Sequence, residues 1–110
     1  MTNGLEHALL LDGKGGAKRF TYDELDTADL STGVLWVHFD YKSDGALEWI
    51  TNKSGIDPIA VEALLTEETR PRTTILGTSI LMALRGVNLN PNSNPEDMVS
   101  IRIFANERLI

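Results

Sequence analysis

Residues 56–89 read IDPIAVEALLTEETRPRTTILGTSILMALRGVNL, and this stretch decides the fold. Asp57 is a good helix N-cap, and Pro58 takes the first helical position, where a missing N–H costs no hydrogen bond. Ile56 and Val61 have the spacing of a hydrophobic staple across that cap. Val61, Leu64 and Leu65 share one face at the i, i+3, i+4 spacing of a core-facing helix. Pro71 pushes Arg70 out of the helical region, so the helix must end by about Thr69. Beyond it, TTIL and ILMALRGV have strand composition and meet near Gly77–Ser79.

Upstream, Val34–Tyr41 is the best central strand. Val34, Trp36, His38 and Asp40 face one way, and Leu35, Val37 and Phe39 the other. Apolar groups on both sides predict cover on both faces, as in an α/β sheet. Ser43 can cap a following helix that turns Ala46, Leu47, Trp49 and Ile50 inward and stops near Gly55. A strand followed at once by a helix is the crossover pattern of a parallel pair. Earlier still, Glu6–Leu11 and Ala17–Phe20 flank Asp12-Gly13-Lys14-Gly15-Gly16, which reads as a hairpin. A phosphate-binding loop is excluded there, because the positions that need a glycine and a Ser or Thr hold Ala8 and Gly15. Thr21-Tyr22-Asp23-Glu24 has the form of a capping box and predicts a short helical turn. Asn90–Asp97 (NPNSNPED) reads as an exposed loop before a strand over Met98–Ala105.

Composition narrows the function. The chain has 110 residues, read as one domain with no internal repeat. It has no cysteine, hence no disulfide framework, thiolate metal site or cysteine nucleophile. Sixteen acidic against ten basic residues give a formal net charge of −6. That balance argues against nucleic acid and suits attraction of cations. No apolar run is long enough to cross a bilayer, and MTNGLEHALLLDG lacks the basic start of a signal peptide. Leu109-Ile110, directly after the turn-like Asn106-Glu107-Arg108, looks like the start of a strand. A longer parent protein is therefore expected.

Three segments in order resemble one family: Leu35-Trp36-Val37-His38-Phe39-Asp40-Tyr41, the helix leading into Glu68-Thr69-Arg70-Pro71-Arg72, and Asn106-Glu107-Arg108-Leu109-Ile110. Together they resemble the CorA family of divalent-metal transporters, in its zinc-transporting ZntB branch, over roughly Gly33 to Ile110. The resemblance implies the N-terminal part of a cytoplasmic domain, α/β in class. The element pattern itself predicts an α/β domain, a mixed parallel and antiparallel sheet with helices packed on it, and the resemblance makes it part of an αβα funnel. The resemblance also implies a homopentamer around an ion path, anchored in the inner membrane by helices outside these residues. Zinc or another divalent cation is then cargo, with no resident cofactor and no enzymatic activity. The alternative is a stand-alone regulatory or protein-interaction domain of the same fold. Gly86-Val87-Asn88 matches the family's pore-mouth Gly-x-Asn only by chance, since no membrane helix adjoins it.

His38 and Asp40 are the candidate metal ligands. They lie two residues apart at the carboxyl end of the central strand, where α/β sheets place ligands, and could give zinc two of its ligands. The competing reading is a hydrogen-bonded histidine beside a helix-capping aspartate. A hydrolase built on the same pair is a third class, and His7 has no relation to them that the sequence predicts. Asp23, Glu24, Asp26 and Asp29 form an acidic patch, read either as a solvated loop or as an outlying cation attractor. Arg70 and Arg72 are read as structural, paired with Glu67, Glu68 or the preceding helix end, with an anion or subunit contact as the rival.

Overall fold

The computed structural model describes residues 3–27, 29, 31–66, 70–92, 94, 96 and 99–110. Among the described residues, six strands and two α-helices follow in the order β1 (Leu5–Leu11), β2 (Ala17–Arg19), β3 (Val34–Phe39), α1 (Asp44–Asn52), α2 (Pro58–Leu65), β4 (Arg72–Leu76), β5 (Ser79–Gly86) and β6 (Val99–Ala105). They make two three-stranded sheets, ordered β2-β1-β3 and β4-β5-β6, and every strand pairing within them is antiparallel.

The local signals in the sequence are realised. Asp57 accepts the Ile59 N–H at 2.8 Å, with Pro58 opening α2. Ala60, Val61 and Leu64 are buried, and Leu65 is half-buried. The last helical residue is Leu65, and Thr66 is already extended with ψ 140°; residues 67–69 lie outside the described residues. Ser43 Oγ accepts the Ala46 N–H at 3.1 Å and opens α1. Thr21 and Glu24 exchange the two bonds of a capping box, at 2.9 and 3.4 Å, beside a 3₁₀ turn over Asp23–Asp26. In the β1–β2 turn Asp12 accepts from the backbone of Lys14 and Gly16, and Gly13 and Gly15 supply the positive φ. The expected strand from Met98 is present over Val99–Ala105, Met98 itself lying outside the described residues.

Three expectations are corrected. First, β3 does not lead through a helix to a parallel neighbour in its own sheet. The chain passes α1 and α2 and enters the other sheet, each sheet being built from antiparallel pairs. The only parallel contact among the described residues is a single bridge, Leu35–Leu109. Second, Val34–Tyr41 is not a central strand: β3 lies at the edge of its sheet, paired only with β1 within it, ends at Phe39, and has two different faces. Leu35 is 5% exposed, whereas Trp36 is 42% exposed. Alternation reports which residues are apolar, not whether anything lies over them. Third, Leu47 of α1 points outward, because the helix rests on Ala46, Trp49 and Ile50.

The core lies between the sheets and the two helices. Ala8, Leu10 and Leu35 from the first sheet and Leu81 and Phe104 from the second meet Trp49, Ile50, Val61 and Leu64. Phe39 stacks against Trp49 with ring centroids 5.6 Å apart. On the outer face of the second sheet the register sets Ile75 opposite Ile80 and Leu84 opposite Ile101. All four are exposed, so this outer face is apolar and uncovered.

Candidate functional site

β1 and β3 pair with His7 opposite His38. Both histidines are exposed on the outer face of the sheet, with ring centroids 6.1 Å apart and planes tilted by 35°. Arg19 of β2 lies beside them, its Nη1 3.2 Å from His7 Nδ1. A guanidinium can only donate, so that bond uses the Nδ1 lone pair and puts the neutral ring's proton on Nε2. His7 and Arg19 are thus members of the site that sequence reasoning did not assign. The pairing joins strands separated by β2 and the 3₁₀ turn, and no local pattern specifies the register across such a gap.

Asp40 does not join them. It follows β3 and shapes the turn into α1: its Oδ1 accepts the Lys42 N–H at 3.1 Å, and its C=O accepts from Ser43 N and Oγ at 3.0 and 2.8 Å. The cap of α1 is Ser43, not Asp40. Zinc sites of the structural kind use four protein ligands and catalytic ones three. Two imidazoles meet here, and no group of three or more His, Asp or Glu side chains converges among the described residues.

Three carboxylates of the acidic patch, Glu24, Asp26 and Asp29, have partners. Hydrogen bonds from the Thr21 backbone N–H, then from its hydroxyl, hold the Glu24 pKa below its ordinary value. The Ser31 hydroxyl, then its N–H, do the same for Asp29, and the N–H groups of Lys14 and Gly16 for Asp12. Asp26 pairs with Lys53 at 3.3 Å, a bond that raises the lysine pKa. These groups are charged and exposed, so they contribute to the field around the molecule more than to any closed site.

Arg72 opens β4 opposite Ala83, while Glu67 and Glu68, its expected partners with Arg70, lie outside the described residues. Gly86 ends β5, and the Asn88 side chain accepts the Asn90 N–H at 3.1 Å, a local turn contact. No described helix is long and apolar enough to cross a membrane.

Comparison with known proteins places the chain. The family described as CorA-like Mg2+ transporter protein matches residues 31–110. The divalent cation transporter CmaX of Pseudomonas aeruginosa is 42% identical over 109 residues, covering 97% of this chain and 33% of that protein. The zinc transport protein ZntB of Pectobacterium carotovorum is 38% identical over 109 residues, covering 98% of this chain and 32% of that protein. The chain therefore spans about a third of the length of these relatives. Among solved structures, full-length CmaX superposes with a TM-score of 0.86 at 41% identity, over 99% of this chain and 34% of that one. The ZntB cytoplasmic domain of Vibrio parahaemolyticus does so with a TM-score of 0.76 at 26% identity, over 98% of this chain and 42% of that one. On this likeness in sequence and fold, the chain belongs to the CorA-like family of divalent-cation transporter proteins.

Proposed function

We propose that this chain is the N-terminal part of the cytoplasmic domain of a zinc or other divalent-cation transporter. Its role is to form wall for the ion path rather than to transport or catalyse. The observation that carries the reading is the match to full-length CmaX along nearly the whole chain, in sequence and in fold. In this reading residues 1–110 are one domain on the cytoplasmic side of the inner membrane. The wall is an αβα funnel shared by five copies, and membrane helices supplied by the rest of the polypeptide carry the pore. Zinc is cargo, with no resident cofactor.

The charge supports it. A formal −6 per chain, repeated around a ring, raises the local concentration of cations without binding them tightly. Transport favours that arrangement, since an ion held too firmly cannot leave. His38 stays in the proposal as a weak ligand whose nearest imidazole is His7. Asp40, engaged in its turn, is the poorer of the two candidates.

Calorimetric titration with zinc tests the arrangement. The expected result is weak, non-saturating binding that fades between low and physiological salt, where exposed charges are screened over about 8 Å. A saturable one-to-one site tighter than about 1 μM, insensitive to salt and abolished by His38→Ala, would overturn it. Sequencing the open reading frame separates transport from the stand-alone alternative. Two further apolar segments of about 20 residues support the first, and their absence leaves the second.

A further inference from the structure

His7 and His38 are direct cross-strand partners on the outer face of the first sheet. Side chains so opposed leave Cβ atoms about 4.5–5.5 Å apart, close enough for both to reach one small ion. Their ring centroids are 6.1 Å apart. Two imidazoles that share an ion at a metal–nitrogen distance of about 2 Å have centroids about 4.5–6.4 Å apart, from a right-angled to a linear arrangement. The pair therefore stands at the span of a shared ion without movement of the strands. A register shift between Leu5 and His7 inserts one residue into β1 at this point. Bulges re-aim the side chains beside them, and here Leu5 packs against the core while His7 stays exposed next to His38.

Arg19 sets the terms for any ion. The register places it opposite Leu9, diagonal to His7, and its Nη1 donates to His7 Nδ1 at 3.2 Å. That bond takes one ring lone pair and leaves a proton on the other nitrogen, so His7 has nothing to give a metal while it lasts. Coordination through Nδ1 displaces the guanidinium directly. Coordination through Nε2 moves the proton to Nδ1, which then cannot accept from Arg19. Either route breaks the bond, and the guanidinium also repels a cation by its charge.

The number of nitrogens selects the ion. Zinc sites take three or four protein ligands, and this pair supplies two. Copper(II) accepts tetragonal sets of nitrogen and oxygen, is suited to imidazole, and stands at the top of the affinity order for divalent first-row metals. We propose that His7 and His38 form a two-imidazole site for copper(II), completed by water, with Arg19 as its built-in competitor. The site does not rest on the transport reading, since it concerns another ion and leaves the diffuse attraction of zinc as it is.

The test is titration of the 110-residue chain with copper(II) at neutral pH, beside His7→Ala, His38→Ala and Arg19→Ala. All three side chains are exposed, so the variants keep the core, which circular dichroism checks. Trp36 lies on the same face two residues from His38, where a bound paramagnetic ion quenches its fluorescence. The expected result is saturable one-to-one quenching, with an electron paramagnetic resonance signal of two nitrogen ligands. Each histidine variant should bind at least about tenfold more weakly, and Arg19→Ala at least about threefold more tightly. Copper affinity unchanged in either histidine variant would overturn the proposal, because the ion would then sit at the amino terminus or on carboxylates. An Arg19→Ala affinity no higher than that of the parent chain would remove Arg19 as competitor. Zinc binding the pair as tightly as copper would overturn the choice of ion.

Discussion

Single residues set the ends of the elements, and their effects are separable. Asp57 caps α2 through the Ile59 N–H and touches no other described site. Asp57→Ala should therefore lower stability by about 1 kcal/mol in a urea melt and leave zinc titration unchanged. Glu24 offers a different readout. Its folded-state pKa is depressed below 4.5 by the Thr21 N–H and hydroxyl, so its contribution is present above the unfolded value and lost as pH falls through the folded one. Asp12 and Asp29 are shifted the same way from 3.8. Lys53 runs opposite: its pKa is raised by Asp26, and its contribution is complete below 10.5 and lost as pH rises through the folded value. Urea midpoints measured from pH 6 down to pH 3 should fall on the acid side. Glu24→Gln should be less stable at neutral pH and show a shallower acid loss. A Glu24→Gln profile parallel to that of the parent chain would remove the capping box from the account.

At the scale of elements, the ends were legible and the cover was not. The caps at Ser43 and Asp57, the glycine turn after Asp12 and the break before Pro71 are read from neighbours within about four residues, which is the reach of capping and turn chemistry. Trp36 and Leu47 were assigned to interiors because they are apolar and correctly spaced. Whether a face is covered depends on partners distant in sequence, which periodicity cannot report. The histidine pair fails the same way, since His7 and His38 meet only through a non-local register. Strand β5 allows a direct measurement of cover. Leu81 is 7% exposed on the inner face, and Leu84 is 41% exposed on the outer one. Leu81→Ala should cost about 2–4 kcal/mol in urea, as for a buried leucine, and Leu84→Ala less than about 1 kcal/mol. Equal losses would mean that the outer face is packed against something in solution.

For the whole molecule, the sequence carried the class and the family, through segments spread from Leu35 to Ile110, but not the division into two antiparallel sheets. That division follows from β3 pairing with β1 and β6 with β5 rather than with each other, and local patterns do not report which distant strand is the partner. The outer face of the second sheet has a consequence in time as well as in space. If the chain is made as the first third of a protein of its relatives' length, Ile75, Ile80, Leu84 and Ile101 leave the ribosome with about 220 residues still to come. At about 5–20 residues per second, that face stands uncovered on the nascent chain for roughly 10–45 s, long against the folding time of a small domain. Throughout that interval the half-made protein is a substrate for ribosome-bound chaperones, and a stall in translation would lengthen its exposure to neighbouring nascent chains.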